Sequence, residues 1–146
     1  MHYRFATVDD APVLAALNQA LIRDEGHRNP MSLAELATRM AEWLAGEYQA
    51  VVFEDAAQPI GYALFRREPE HVYLRQFLIA SEHRRRGRGR AAIDWLRQHA
   101  WGPQRRVRLD VLVGNASGIA FWRAVGFSDY CLTLESEVAP PAGEFE

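Results

Sequence analysis

Cysteine is almost missing from this chain. Cys131 stands alone among 146 residues, so no disulfide can form within the chain, and the disulfide-stapled secreted scaffolds are excluded. A reducing, intracellular setting is expected. One cysteine and five scattered histidines also make no zinc spacing, so no metal is expected. No apolar run approaches the ~20 residues of a membrane span. The opening "MHYRFATVDD" lacks the apolar core of a secretory signal. A cytoplasmic protein without membrane contact is the expectation. Lysine is absent altogether: all seventeen basic residues are arginine, a bias from which no function follows. Nor is there an excess of basic charge. The formal net charge is -2, unlike the basic domain or broad basic stripe of a general nucleic-acid binder.

What the chain does have is positive charge gathered in one place. Residues 84–108 hold nine arginines and one acid, Asp94, whereas residues 1–55 hold nine acids and four arginines. That distribution favours one compact anion over a long polyanion. The length suits one domain that buries a core without disulfides or metals. The hydrophobic and charged fractions, 49% and 25%, are those of a globular chain. Residues 1–138 are expected to form a single domain and residues 139–146 a disordered C-terminal tail.

Hydrophobic periodicity supplies the elements. "YRFATVDD" reads as a short strand and a capped entry, with Asp9 or Asp10 as cap and Pro12 in the first helical turn. Val13, Leu17 and Leu21 recur at helical spacing. Gly26 and Pro30 break that pattern. Ser32 and Glu35 form a capping box before a second helix through Leu33, Leu36, Met40 and Leu44. "YQAVVFED", "IGYALFRR" and "HVYLRQFLIA" read as three strands of a meander. An arginine-rich loop follows, then a helix with Ala92, Ile93, Leu96 and Ala100 on one face. "RVRLDVLV" reads as a strand, "NASGIAFWRAV" as a short helix, and "FSDYCLTLES" as a last strand with Cys131 in the core. This order predicts an α+β fold, one central mixed sheet with helices on both faces.

The loop 84–90 contains five arginines and two glycines and joins a strand to a helix. A helix start offers unpaired N–H groups and the positive end of the helix dipole. Gly87 and Gly89 remove the Cβ that would keep a ligand from the backbone. Arginines add charge-assisted hydrogen bonds. A pyrophosphate fits this description; a solvated loop is the plainer alternative.

The segment "FLIASEHRRRGRGRAAIDWL" resembles the cofactor motif of the GNAT superfamily of acyl-CoA N-acyltransferases, R/Q-x-x-G-x-G/A between a strand and a helix, met by Arg84, Gly87 and Gly89. "LDVLVGNASGIAFWRAVGF" is similar to a second family motif, with Leu109, Val111, Asn115, Phe121, Gly126 and Phe127 on the matching positions. The element order matches along nearly all of the chain. The resemblance implies a mostly antiparallel mixed sheet. It also implies an N-acetyltransferase that moves an acetyl group from acetyl-CoA to a primary amine by direct attack in a ternary complex. The pyrophosphate would lie on the loop from Arg84 through Arg85, Arg86, Gly87, Arg88 and Gly89 to Arg90. The pantetheine arm would run along Phe77, Leu78 and Ile79, with the Leu78 amide facing the thioester oxygen. Asn115, Phe121 and Trp122 would complete the site, although Asn115 also reads as a helix cap. Arg123 either reaches the ribose phosphate or is solvated. A homodimer is common among such proteins.

The attacking amine must first lose a proton. Histone-modifying relatives carry a carboxylate where this chain has Tyr73. The carboxylate of N-terminal acetyltransferases falls at Asp110, which is either the base or an exposed strand acid paired with Arg106 or Arg108. Asp24, Glu25, His27 and Arg28 lie between the first two helices, where the family walls its acceptor site; they either recognise the amine or are solvated, and His27 is a second candidate base. Many relatives have a tyrosine acid where this chain has Trp122, whose indole N–H gives no usable proton. Then the thiolate leaves unassisted, or Tyr130 serves as acid, or the chain is a non-catalytic acyl-CoA sensor. A nucleic-acid contact through the arginine loop is a further alternative, weakened by the missing aromatic platform.

Overall fold

The computed structural model describes residues 1–26 and 28–139. His27, the second candidate base, lies outside the described residues, as do residues 140–146 of the expected 139–146 tail. The caps fall where the sequence places them. α1 (Ala11–Glu25) has Asp10 at its N-cap, Pro12 in its first turn and Gly26 at φ 67° after its last residue, a left-handed position that suits glycine. α2 (Leu33–Ala45) opens on the Ser32–Glu35 box, with Glu35 N–H donating to Ser32 Oγ and Ser32 N–H to Glu35 Oε1.

The sheet runs β1 (His2–Phe5), β2 (Tyr48–Asp55), β3 (Gln58–Arg67), β4 (Val72–Ile79), β5 (Val107–Arg108) in that spatial order. The first three pairings are antiparallel and the last parallel. Successive side chains point to opposite faces, so β2 feeds two cores. Val51 and Phe53 join Ile93, Leu96 and Trp101 on the side of α3 (Arg88–His99) and α4 (Ala116–Ala124), whereas Val52 joins Leu14, Met40 and Tyr62 on the side of α1 and α2. The expected α+β architecture, with helices on both faces, is the observed one.

Two irregularities of β4 shape the site. Phe65 pairs with Leu74 and Leu64 with Gln76, so Arg75 is an extra residue, a β-bulge. The bulge turns two consecutive side chains to the α1–α2 face. Arg75 lies over Trp43 and against Tyr48, and Gln76 accepts from the Tyr62 hydroxyl at 2.8 Å. The second irregularity is the parting of β4 and β5. They pair only at Val72–Val107 and Tyr73–Arg108. Beyond Tyr73 the edge of β4 is open.

The C-terminal part of the sequence departs from expectation. "RVRLDVLV" shrinks to Val107–Arg108, and "FSDYCLTLES" forms no strand. Alternation alone does not make a strand; a ladder partner must satisfy its N–H and C=O groups. Beyond the Phe127 N–H, which donates to the Trp122 carbonyl at 2.9 Å, residues 128–139 show only side-chain ties among the described residues, such as Arg108 to the Tyr130 hydroxyl at 3.1 Å and Arg28 to Glu135 at 2.8 Å. Leu132 and Leu134 stand 80% and 88% exposed. Cys131, expected in the core, is exposed with them.

Candidate active site

A cavity of about 880 Å³ opens where β4 and β5 part. Its first wall is the N-terminus of α3. Ala91 N–H makes a 3.0 Å bond to Gly87 O, so the amides of Arg88, Gly89 and Arg90 precede the first helical acceptors and are free to bind an anion. Gly87 at φ 73° and Arg85 at φ 63° bend the loop so that it meets the helix this way. Gly89 has a different reason to be glycine. A Cβ there would lie 2.8 Å from the Phe121 ring, so its bare backbone lets α3 approach α4.

The arginines divide into two groups. Three act within the fold. Arg84 donates to the Ile79 carbonyl at 2.7 Å and to Asp24 at 2.5 Å, Arg88 to Asp55 at 2.5 Å, and Arg90 to the Ala124 carbonyl at 2.8 Å. They tie the loop to α1, to the end of β2 and to α4. Arg85 lines the cavity, and Arg86 does not. The cradle therefore consists of backbone amides, with Arg85 as the guanidinium available to a ligand.

The middle of the cavity is a slot with aromatic walls. Phe77 stacks on Phe121 with centroids 6.0 Å apart and meets Trp122 edge-on at 5.2 Å. Trp122 also packs edge-on against Phe121 and Phe127. Asn115 caps α4, its Oδ1 accepting from Gly118 N–H at 3.0 Å, and it lines the cavity as well.

Backbone direction changes the expected oxyanion donor. Ala80 N–H donates to Ile60 O on β3, and a Cβ added at Gly61 would collide with the Leu78 carbonyl oxygen. Leu78 therefore turns its backbone groups towards β3. Because direction alternates along a strand, the groups on the open edge belong to Phe77 and Ile79. The Ile79 carbonyl is taken by Arg84, which leaves the Phe77 amide nearest the point where the strands part.

At that point Tyr73 and Asp110 meet. The Tyr73 hydroxyl donates to Asp110 Oδ2 at 2.9 Å, and both residues line the cavity. Burial, then the hydrogen bond to Asp110, push the Tyr73 phenol up to about 12, so it remains a proton-bearing donor through the neutral range. The other Asp110 oxygen is left to accept from a ligand. Asp24, Glu25 and Arg28 line the same cavity.

The sequence model of the Acetyltransferase (GNAT) family matches residues 14–127. The chain belongs to the GNAT acetyltransferase family. No curated protein matches. Among solved structures, a possible acetyltransferase from Clostridium difficile 630 has a TM-score of 0.75 at 15% identity, covering 94% of this chain and 98% of that one. An aminoglycoside N-acetyltransferase, AAC(6')-Iy, solved with CoA, gives 0.73 at 14% identity, covering 94% and 93%. A predicted acetyltransferase from Clostridium acetobutylicum, solved with acetyl-CoA, gives 0.72 at 18%, covering 93% and 95%. At these identities the likeness is one of fold.

Within this GNAT chain, three residues besides Arg86 that the sequence singled out fall outside the cavity. Tyr130, considered as the acid, is 73% exposed, and its hydroxyl accepts from Arg108. Arg123, considered for a ribose phosphate, pairs with Asp129 at 2.8 Å on the surface. Arg108 lies against the Tyr130 ring, 4.4 Å from its centroid, and is not the partner of Asp110. Nothing in the sequence signals the Tyr73–Asp110 pair, because Tyr73 reads there only as a missing carboxylate. Asn18 and Arg39, two further lining residues, sit on helical faces that read as ordinary core and surface.

Proposed function

We propose that the chain transfers the acetyl group of acetyl-CoA to a primary amine by direct attack in a ternary complex. One observation carries this reading. A single cavity joins an anion cradle, an apolar slot and a carboxylate, in the order that a diphosphate, a pantetheine arm and an amine require. The CoA and acetyl-CoA in the structural relatives, and the CoA-acetylneamine bisubstrate in one of them, support the donor and the class of acceptor.

In this reading the α3 amides and Arg85 bind the pyrophosphate. Phe77, Phe121 and Trp122 enclose the arm and exclude water. Asp110 takes the proton from the ammonium, directly or through water, with its carboxylate held by Tyr73. The neutral nitrogen attacks the thioester carbon, and the developing oxyanion takes the Phe77 N–H, a kind of contact worth ~10²–10³ in rate. The C–S bond then breaks, the CoA thiolate leaves, and the new amide nitrogen gives up its second proton to water or to the departing thiolate. The test is a calorimetric titration with acetyl-CoA, followed by detection of free CoA over a panel of amines. Acetyl-CoA binding without CoA release from any amine would instead support the sensor reading, which draws on the placement of Tyr130 outside the cavity. Absence of binding would remove both. The nucleic-acid alternative has little to stand on, since Arg84, Arg88 and Arg90 are engaged within the fold.

Trp122 then serves as a wall. A cysteine-like thiol has a pKa of about 8.5, so the thiolate is a fair leaving group without a proton donor. Trp122→Phe is expected to cost less than about tenfold in kcat, or ~1.4 kcal/mol of barrier. Trp122→Ala is expected to cost more, through lost packing with Phe77, Phe121 and Phe127. Steady-state kcat with one confirmed amine checks both; equal damage from the two would show that the indole N–H is needed.

A further inference from the structure

Beyond Tyr73 and Asp110 the cavity ends in groups that acetyl transfer leaves unused. Asn18 is 1% exposed and lies on the cavity wall. Its Oδ1 accepts from Arg39 Nη2 at 3.1 Å, which fixes the amide orientation and leaves Nδ2 as the spare donor. Nδ2 has no hydrogen-bond partner, and neither does the buried Nε of Arg39. Asn18 acts on the Tyr62 hydroxyl as a loose hydrogen-bonding neighbour that favours the phenolate, although burial dominates and pushes that phenol well above its ordinary range. The pair does not reach hydrogen-bonding geometry. Buried donors without acceptors are rare, and each calls for a partner.

The charges at this end point the same way. Arg39 and Arg75 both lie against the Trp43 ring, 4.4 and 4.7 Å from its centroid. The bulge at Arg75 turns this side chain to the α1–α2 face. Among the described residues neither guanidinium forms an ion pair with a carboxylate. Burial first, and the charge of Arg75 second, lower the pKa of Arg39, so a partly buried cation has an exposed one, Arg75, as its neighbour. The acids that line the cavity are Asp24, held by Arg84 at 2.5 Å, Asp110, held by Tyr73 at 2.9 Å, and Glu25, whose charge acts on the same Tyr62 phenol as Arg39.

We infer that this end of the cavity is an anion subsite, and that the acceptor is an amine bearing a carboxylate or phosphate. Asn18 Nδ2, Arg39 and Arg75 hold the anionic group, while the ammonium lies towards Asp110 and Glu25. The inference rests on the acetyl-transfer reading for the identity of the ligand as acceptor. A guanidinium fork suits either anion. A bound anion would supply the two orphaned donors with acceptors and relieve the repulsion between Arg39 and Arg75. The plainer role, Arg39 merely covering Trp43 and steadying Asn18, accounts for neither.

The test uses acetylated products, so that binding is read without turnover. The CoA-saturated protein is titrated calorimetrically with N-acetylleucine against its methyl ester, and with N-acetyl-phosphoethanolamine against N-acetylethanolamine. At least one anionic member is expected to bind tenfold or more tightly than its uncharged counterpart, and the winning pair distinguishes carboxylate from phosphate. Arg39→Gln and Arg75→Gln should each reduce that advantage about tenfold. Asn18→Asp keeps the size and the acceptor for Arg39 but replaces the spare donor with a negative charge, and should abolish the preference. Titration with CoA alone reports that each variant is folded. Equal binding within both pairs, binding of no probe, or a preference that survives all three substitutions would overturn the subsite. Release of free CoA from acetyl-CoA is measured in parallel with leucine, leucine methyl ester, phosphoethanolamine and ethanolamine. Equal turnover within both pairs would sink the subsite and leave acetyl transfer standing. Anion-dependent binding without any turnover would do the reverse.

Discussion

Asp110→Asn is expected to lower kcat/KM for the amine by ~10²-fold at neutral pH, within the range usual for general base catalysis. Asparagine has the size of aspartate and still offers an oxygen to the Tyr73 hydroxyl, now 2.9 Å from Asp110 Oδ2. The fold and the acetyl-CoA site should therefore be unaffected, and calorimetric affinity for acetyl-CoA should barely move. What disappears is the lone pair basic enough to take a proton from the ammonium. The loss should shrink as pH rises and more amine is neutral in solution, so the ratio of wild-type to variant kcat/KM should fall towards the amine's own pKa. Tyr73 does not confuse this profile, because its phenol, pushed up to about 12, stays protonated across that window. A variant with full activity at neutral pH would return Asp110 to the role of an exposed acid that orients Tyr73.

The parts of this site that follow local rules were legible in the sequence. The Ser32–Glu35 box, Asp10 at the start of α1 and the glycine-bearing entry to α3 depend on residues a few positions apart, and the chain shows them directly, although the Asp10 carboxylate binds Thr7 N–H and Arg4 rather than the helix amides. Asn115 is a like case, since a helix cap is a local hydrogen bond. Strand parity is a different matter. Strict alternation puts residues 73, 75 and 77 of β4 on one face, but the bulge at Arg75 shifts the count. Phe77 then joins Val72 and Leu74 in the core on the α3 side, and Arg75 and Gln76 share the other face. Nothing in a period of two announces one extra residue, and the choice of Leu78 over Phe77 as oxyanion donor failed on backbone direction.

Long-range pairing was the other blind spot. Tyr73 and Asp110 are 37 positions apart and meet because one parallel register step places Tyr73 opposite Arg108. Asn18 and Arg39 meet through the packing of α1 on α2. The arginines of the loop show the limit most clearly. Their number suggested a ring of cations around an anion, yet Arg84, Arg88 and Arg90 are engaged by Asp24, Asp55 and the Ala124 carbonyl. Charge in a sequence does not say whether its partner is a ligand or the rest of the fold. The expected strand over 127–136 failed for a related reason: alternation is a property of the segment, whereas pairing needs a second one.

Gly87→Val is expected to weaken acetyl-CoA binding by about thirtyfold, equivalent to ~2 kcal/mol, while the protein stays folded. Gly87 stands at φ 73° as the N-cap of α3. A β-branched residue is a steric outlier there, and the left-handed conformation costs an L-residue roughly 1–2 kcal/mol. The variant escapes that cost by rotating the loop out of the left-handed region, which turns the Arg88 and Gly89 amides away from the position of the pyrophosphate. Space is not the obstacle, since a Cβ at Gly87 meets nothing within 4 Å. The effect should therefore be conformational, and Gly87→Asn tests that. Asparagine tolerates the left-handed region and should recover most of the affinity despite its larger side chain. The ties that hold the loop from outside, Arg88 to Asp55 and Arg90 to Ala124, keep α3 in place in both variants. Calorimetric titration with acetyl-CoA gives the comparison directly. If valine binds as well as glycine, the α3 amides do not form the cradle; if asparagine is as damaging as valine, a ligand atom occupies the space beside Gly87 and the conformational account is wrong.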